Sequence, residues 1–165
     1  MRFEGVSGEI ERRKLRRDYG AFVEYVNEGF CMTKFHRFLC DQVQEFLSIK
    51  TDNAFDILLL SVPPRHGKSF VITETLPAWF LGNNPRGEVI LASYQTTIAE
   101  SFSRPVRDKF NEYGPDIFGF GPNKLVQTKE YWETEKGGKC RAAGLDAGIT
   151  RYGAELFIID DPIKN

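Results

Sequence analysis

The chain has 165 residues, of which 41% are hydrophobic and 27% charged, and its formal net charge is −1. These values describe a single small domain, long enough for a real core, with an ordinary soluble globular composition. They exclude a globally basic nucleic-acid binder, leaving a local patch as the route to such contact, and no apolar run reaches the length of a membrane span or forms a signal-peptide core.

From the N-terminus, residues 9–28 read as a helix with Ala21, Phe22, Tyr25 and Val26 on one face and Gly29 as its stop. Its start carries Arg12-Arg13-Lys14-Leu15-Arg16-Arg17, a run that suits a solvated helix face better than a nucleic-acid contact. A second amphipathic helix follows Thr33, a suitable N-cap, with Phe35, Phe38, Leu39, Val43, Phe46 and Leu47 as the expected buried stripe. Continuous apolar character predicts a buried strand over 57–62. A helix opens after Ser69 with Phe70, Val71, Ile72 and Leu76, and ends or kinks near Pro77.

Asn83-Asn84-Pro85-Arg86-Gly87 is turn chemistry, and 89–92 reads as a second buried strand. A helix over 96–113 places Ile98, Phe102, Val106 and Phe110 at spacings of four, with Gly114-Pro115 as its stop. Residues 119–153 are glycine-rich, with 128–132 and 140–145 expected to form a hairpin or edge strands. A third buried strand over 155–159 ends in Asp160-Asp161-Pro162. Cys31, Cys40 and Cys140 have no metal-type spacing with each other or with His36 and His66, which argues against zinc and for reduced thiols in a cytosolic protein.

Strand–helix alternation with apolar strands predicts an α/β fold with a mostly parallel sheet. Ligands of such sheets bind beyond the carboxyl ends of the strands, where residues 65–69 and Asp160–Asp161 both fall. The first segment has the layout of a phosphate-binding loop: Leu58-Leu59-Leu60-Ser61-Val62 breaks at Pro63-Pro64 and delivers Arg65-His66-Gly67-Lys68-Ser69 to a helix start. In that layout Pro64, Arg65, His66, Gly67, Lys68 and Ser69 cradle phosphate, Lys68 reaches the β/γ-phosphates and Ser69 holds Mg²⁺. The usual pattern has glycine where this chain has Val62, and Pro63-Pro64 pre-set the backbone in its place. Arg65 is either solvated or stabilises charge on the transferring phosphoryl group, and His66 suits packing or solvent better than direct contact. A strand-to-helix turn with a solvated lysine is the plainer alternative.

Leu156-Phe157-Ile158-Ile159-Asp160-Asp161 has the form of a Walker-B strand. A carboxylate at the end of a buried strand is held rigidly enough to serve Mg²⁺, directly or through water, and Asp160 fills that place. Asp161 is then the group that polarises the attacking water. Asp-Asp-Pro is also good turn chemistry, and only the two segments together favour a nucleotide site.

Pro63-Pro64-Arg65-His66-Gly67-Lys68-Ser69 resembles the ATP-binding loop of the large subunit of tailed-phage terminases, the motors that pump DNA into capsids. Three more segments resemble the same family in the same order: Ala92-Ser93-Tyr94 through Arg104-Pro105-Val106-Arg107-Asp108, Gly148-Ile149-Thr150-Arg151-Tyr152-Gly153-Ala154, and Leu156 to Asn165. The likeness extends over residues 33–165. It implies an ASCE-type P-loop NTPase with a three-layer sandwich, ATP and Mg²⁺ as ligands, and catalytic roles for Lys68, Asp161 and Arg65. Many family members carry glutamate where this chain has Asp161, and tend to have glycine at Arg151. Arg65, Arg104 and Arg107 are the candidates for the family's arginine finger, and His36, Arg37 and Gln42 lie where an adenine-contacting segment is expected.

The resemblance divides the chain into a helical segment, 1–52, leading into a partial ATPase core, 53–165, with the family's C-terminal nuclease domain absent. The strands that flank the Walker-A strand in the family come after Walker B, so the chain reads as a fragment in which that strand has unpaired backbone or an exposed edge. A fragment of this kind is expected to bind ATP weakly and hydrolyse it poorly. The implied partners are double-stranded DNA, the portal protein and the terminase small subunit, with a homo-oligomeric ring, no membrane, and a location in the host cytoplasm and transiently at the procapsid portal. Two other readings remain open: another P-loop translocase or helicase, and a catalytically silent prophage remnant acting as a binding or assembly module.

Overall fold

A computed structural model describes residues 5–145, 149 and 152–163. Gly148, Thr150, Arg151, Lys164 and Asn165, which enter the family resemblance, lie outside the described residues.

The N-terminal helix expected over 9–28 is two helices, α1 (Gly5–Arg17) and α2 (Tyr19–Val26). Asp18 breaks the path: its backbone is extended, and its carboxylate caps α2 by accepting from the Ala21 N–H at 3.0 Å. Arg37 on α3 (Lys34–Ser48) pairs with Asp18 at 2.8 Å and with Asp41 at 2.7 Å, so α3 holds the break from outside. Thr33 caps α3 as expected, and His36 closes a capping box with it. The buried face of α3 is Leu39, Cys40 and Val43, whereas Phe35 and Phe38 are exposed. The expected stripe is therefore rotated, because α3 turns its 39/40/43 side to α2.

Helices α4 (Lys68–Ile72) and α5 (Leu76–Asn83) follow. Pro77 lies in the first turn of α5, where its missing N–H costs nothing, so it starts a helix rather than ending one. Strand β1 (Glu88–Ser93) leads to α6 (Thr96–Phe118), which runs past Gly114-Pro115 and ends at Gly119 with φ 83°. Pro115 deprives the Asn111 carbonyl of its helical donor, but both residues are on the exposed side of α6, where the carbonyl is not buried without a partner.

The remaining strands are β2 (Pro122–Gln127), β3 (Tyr131–Thr134), β4 (Lys139–Gly144) and β5 (Leu156–Ile159), and the sheet order is β2-β3-β4-β1-β5. The β1–β4 and β1–β5 pairs are parallel, while β2–β3 and β3–β4 are antiparallel. The fold is α/β, as expected, but its sheet is mixed. Tight turns join β2 to β3 and β3 to β4, and a connection that short can only reverse the chain. Strands β3 and β4 form the hairpin that is one of the two expectations for this region, and β4 lies inside the sheet between β3 and β1 rather than at an edge.

No strand forms over 57–62. Ile57 and Leu59 are 77% and 88% exposed, while Leu58 and Leu60 rest half-buried against the core. Among the described residues the sheet ends at β5 and no neighbour offers this segment a ladder, so its apolar character alone does not make it a strand.

One core joins the helices to the sheet, with Tyr19, Phe22, Leu91, Phe110, Ile117 and Trp132 among its most buried side chains. Two contacts fix α4 and α5 from behind. The Tyr19 hydroxyl donates to the Val71 carbonyl, and Trp79 Nε1 donates to the Leu15 carbonyl at 3.0 Å. Among the described residues no helix is long and apolar enough to cross a membrane.

Candidate functional site

Because β1 and β5 run parallel in register, with Ala92 opposite Ile159, their carboxyl ends stand side by side. The Asp160 N–H donates to the Ala92 carbonyl at 2.9 Å, and the Asp161 carbonyl accepts from Tyr94 N–H at 3.3 Å and Ser93 Oγ at 3.2 Å. This anchoring turns the Asp160 carboxylate inward, to 2% exposure, and leaves the Asp161 side chain 69% exposed.

One side chain from α4 and one from its C-cap meet Asp160. Thr73 Oγ1 donates to Oδ2 at 2.7 Å, and Lys68 Nζ stands 2.5 Å from Oδ1. The lysine contact is close but poorly directed, so Oδ1 has charge compensation and, among the described residues, no aligned hydrogen-bond donor. Lys68 Nζ also lies 4.0 Å from Asp161 Oδ1. Burial alone would raise the Asp160 carboxyl, but the Lys68, Ser69 and Thr73 side chains and the lysine charge outweigh it and hold the group below the ordinary carboxylate range.

The loop preceding α4 has a left-handed backbone at two positions, Arg65 (φ 65°) and Gly67 (φ 74°). Among the described residues, Arg65 and Asp161 (φ 47°) are the non-glycine residues with positive φ, and they belong to the two segments that Lys68 joins. Such conformations are uncommon away from glycine and concentrate at functional sites. A β-carbon on Gly67 would come within 3.1 Å of His36 Nε2. Gly67→Ala is expected to lower stability by about 1–2 kcal/mol, since it adds left-handed strain to that contact. Urea midpoints measure this, and a variant as stable as the parent chain would contradict the loop geometry.

His36 braces the loop from α3. Its Nδ1 accepts from the Thr33 N–H at 3.4 Å, which assigns the proton to Nε2, and Nε2 lies 3.3 Å from the His66 carbonyl. His66 Nδ1 in turn reaches the Pro64 carbonyl at 2.9 Å. Phe30, Phe35, His36, Arg65, His66 and Phe70 line a cleft of about 440 Å³ against this loop. Lys109 on α6 supports the far side of Phe70: its Nζ is 5.0 Å from the ring centre and donates to the Glu74 carbonyl at 2.9 Å, and burial lowers its pKa to about 8.

The structure thus brings Lys68, Asp160 and Asp161 together, with Ser69 on the same turn of α4. Pro64, Arg65 and His66 are exposed on the loop. His36 lines the cleft, but Arg37 is held by Asp18 and Asp41, and Gln42 faces Glu45 at 3.4 Å. Arg104 pairs with Asp108 on α6 at 3.6 Å, and Arg107 donates to the Thr128 carbonyl at 3.3 Å. Sequence reasoning missed Thr73 and the aromatic wall of Phe30 and Phe70. The available signal for Thr73 was its position four residues after Ser69, on one helix face.

Residues 59–165, well over half of the chain, match the family described as terminase large subunit, T4likevirus-type, N-terminal. The chain belongs to this terminase family. Neither a curated protein nor a solved structure matches it. The terminase match contains both halves of the site, from the loop through Asp160 and Asp161, and makes the chain a component of a phage DNA-packaging machine. It begins at Leu59, within the segment that lacks a strand partner, and excludes α1 to α3, so the wall that Phe30, Phe35 and His36 lend the cleft comes from outside the matched region.

Proposed function

We propose that the 63–69 loop and the Asp160–Asp161 pair bind and hydrolyse Mg²⁺–ATP, and that hydrolysis drives double-stranded DNA into a procapsid. The observation that carries this reading is the Lys68 ammonium, 2.5 Å from Asp160 and 4.0 Å from Asp161, which unites two segments some ninety positions apart. The residues fit the ligand. Asp160 Oδ1 is a buried carboxylate oxygen without an aligned donor among the described residues, the Ser69 hydroxyl is nearby on α4, and hard oxygen donors of this kind suit Mg²⁺. When bound, the ion neutralises charge on the phosphate oxygens.

In this reading Lys68 exchanges Asp160 for phosphate oxygens, Ser69 and Asp160 hold the ion, and Pro64 to Gly67 shape the cradle. Asp161 orients the attacking water and accepts its proton, and Arg65 stabilises the transferring group. The cleft between Phe30, Phe35, His36 and Phe70 takes the base, whose flat face suits an aromatic wall. Parallel strands ending at Ser93 and Ile159 support a P-loop NTPase core. Double-stranded DNA contacted through its phosphates, a portal protein, a small terminase subunit and a ring of like subunits in the host cytoplasm complete the proposal.

Millimolar Mg²⁺–ATP is expected to raise the melting temperature by several degrees, because a ligand that binds only the folded state adds stability by mass action. Phosphate release measured alongside tests turnover. Absence of any shift would sink the site. The exposure of Asp161, 69% and 4.0 Å from Lys68, favours a second reading in which the chain binds nucleotide without turning it over. A thermal shift with no phosphate release is the result that selects it.

A further inference from the structure

We infer that Thr73 is a positioning residue for the metal-binding carboxylate: its hydroxyl anchors Asp160 Oδ2 so that Oδ1 alone is presented to the ion. This rests on the Mg²⁺–ATP reading of the site and goes beyond it by giving a role to a side chain outside the phosphate loop. Three observations carry it. Thr73 Oγ1 donates to Oδ2 at 2.7 Å across 87 positions of sequence, with both residues 2% exposed. Oδ1 of the same carboxylate is buried and lacks an aligned donor among the described residues, so the two oxygens are not equivalent. Thr73 and Ser69 stand one turn apart, and the Thr73 N–H donates to the Ser69 carbonyl at 2.8 Å, which fixes both hydroxyl-bearing residues on one side of α4.

A threonine hydroxyl has one proton to give, and here it goes to Oδ2. With that oxygen occupied, rotation of the carboxylate would sacrifice a buried hydrogen bond, so Oδ1 is pre-set toward Lys68 and Ser69 before any ligand arrives. Lys68 compensates Oδ1 in the meantime and can leave without disturbing the Thr73 bond. Partners that orient a ligating carboxylate in this way govern metal affinity more than nucleotide contact.

The test is the Mg²⁺ dependence of the thermal shift at saturating ATP, compared with the shift produced by ATP in EDTA. In Thr73→Val the Mg²⁺ concentration giving half of the effect is expected to rise about 10- to 100-fold, with the EDTA shift unchanged, and Thr73→Ser is expected to restore the parental value. A Thr73→Val chain that is merely less stable, with unchanged Mg²⁺ dependence, overturns the inference. If Thr73→Val does not fold, Thr73→Ala, which also removes the donor, is read on the same scale, and an unchanged midpoint there overturns it equally. No response of the parent chain to Mg²⁺–ATP overturns the nucleotide site itself and this inference with it, whereas a normal parental response with an insensitive Thr73 variant removes Thr73 alone.

Discussion

Lys68→Ala is expected to lower nucleotide affinity on the order of 10- to 100-fold and to lower the stability of the ligand-free chain by about 1–2 kcal/mol. The two effects have one origin. Lys68 Nζ is the charge that compensates Asp160 Oδ1 at 2.5 Å, and in the proposed function it is also the charge offered to phosphate. Removing one partner of a fully buried pair costs about 3–5 kcal/mol, because the other charge is stranded. Here Asp160 is buried but the lysine side chain is 29% exposed, so water and protonation of the carboxyl relieve part of that cost. The nucleotide effect follows from the loss of charged hydrogen bonds, each worth about 1.5–3 kcal/mol. Lys68→Met separates charge from packing: it keeps most of the stem and should bind nucleotide as weakly as the alanine variant does. Titration calorimetry with Mg²⁺–ATP and urea melts without it read the two quantities. A Lys68→Ala chain that binds as tightly as the parent would remove the loop from the site.

The sequence carries the loop and the two acids openly because each is a local pattern. Glycine at position 67 answers a left-handed backbone, lysine and serine follow it at a helix start, and Asp160-Asp161 closes an apolar strand. Thr73 leaves no such mark. A hydroxyl in a short apolar helix reads as surface or filler, and only the approach of β5 gives it a partner. The run over 57–62 shows the reverse failure. Its residues have strand character, but a strand exists only through a neighbour's backbone, and neighbours are not local information. The mixed sheet was half legible: glycine-rich, β-like pieces over 128–145 point to a hairpin, which β3 and β4 form, but alternation with helices points to a mostly parallel sheet and does not show that the hairpin joins it. The break at Asp18 was legible in principle, since aspartate before Tyr19-Gly20 is a good N-cap, but the continuous apolar face on either side masked it. Phe35 falls in the expected buried stripe because phenylalanine at helical spacing usually is core, yet it projects to the rim beside His66.

Asp160→Asn should destabilise the ligand-free chain at pH 7, by about 1–3 kcal/mol, and the deficit should shrink as pH falls below about 4. The sign follows from the environment of the carboxyl. Burial works against its charge, but Lys68, Ser69 and Thr73 outweigh burial and depress the folded pKa below the unfolded value. A group depressed on folding contributes stability that is fully present above its unfolded pKa and is lost as pH falls through the folded one, because the unfolded chain then binds the proton first. Below that window the parent carries a neutral carboxylic acid beside Lys68 and Thr73, which an amide resembles, so parent and variant converge. Asp18 is depressed too: burial opposes its charge, but the Ala21 N–H and Arg37 overcome it. That contribution is common to both chains and cancels in their difference. Urea midpoints of the two proteins between pH 7 and the acid limit of folding, taken without Mg²⁺ or nucleotide, measure the gap. A gap constant across the range would mean that Asp160 is not held ionised by Lys68 in the folded chain, and the pairing from which the nucleotide site is inferred would have to be abandoned.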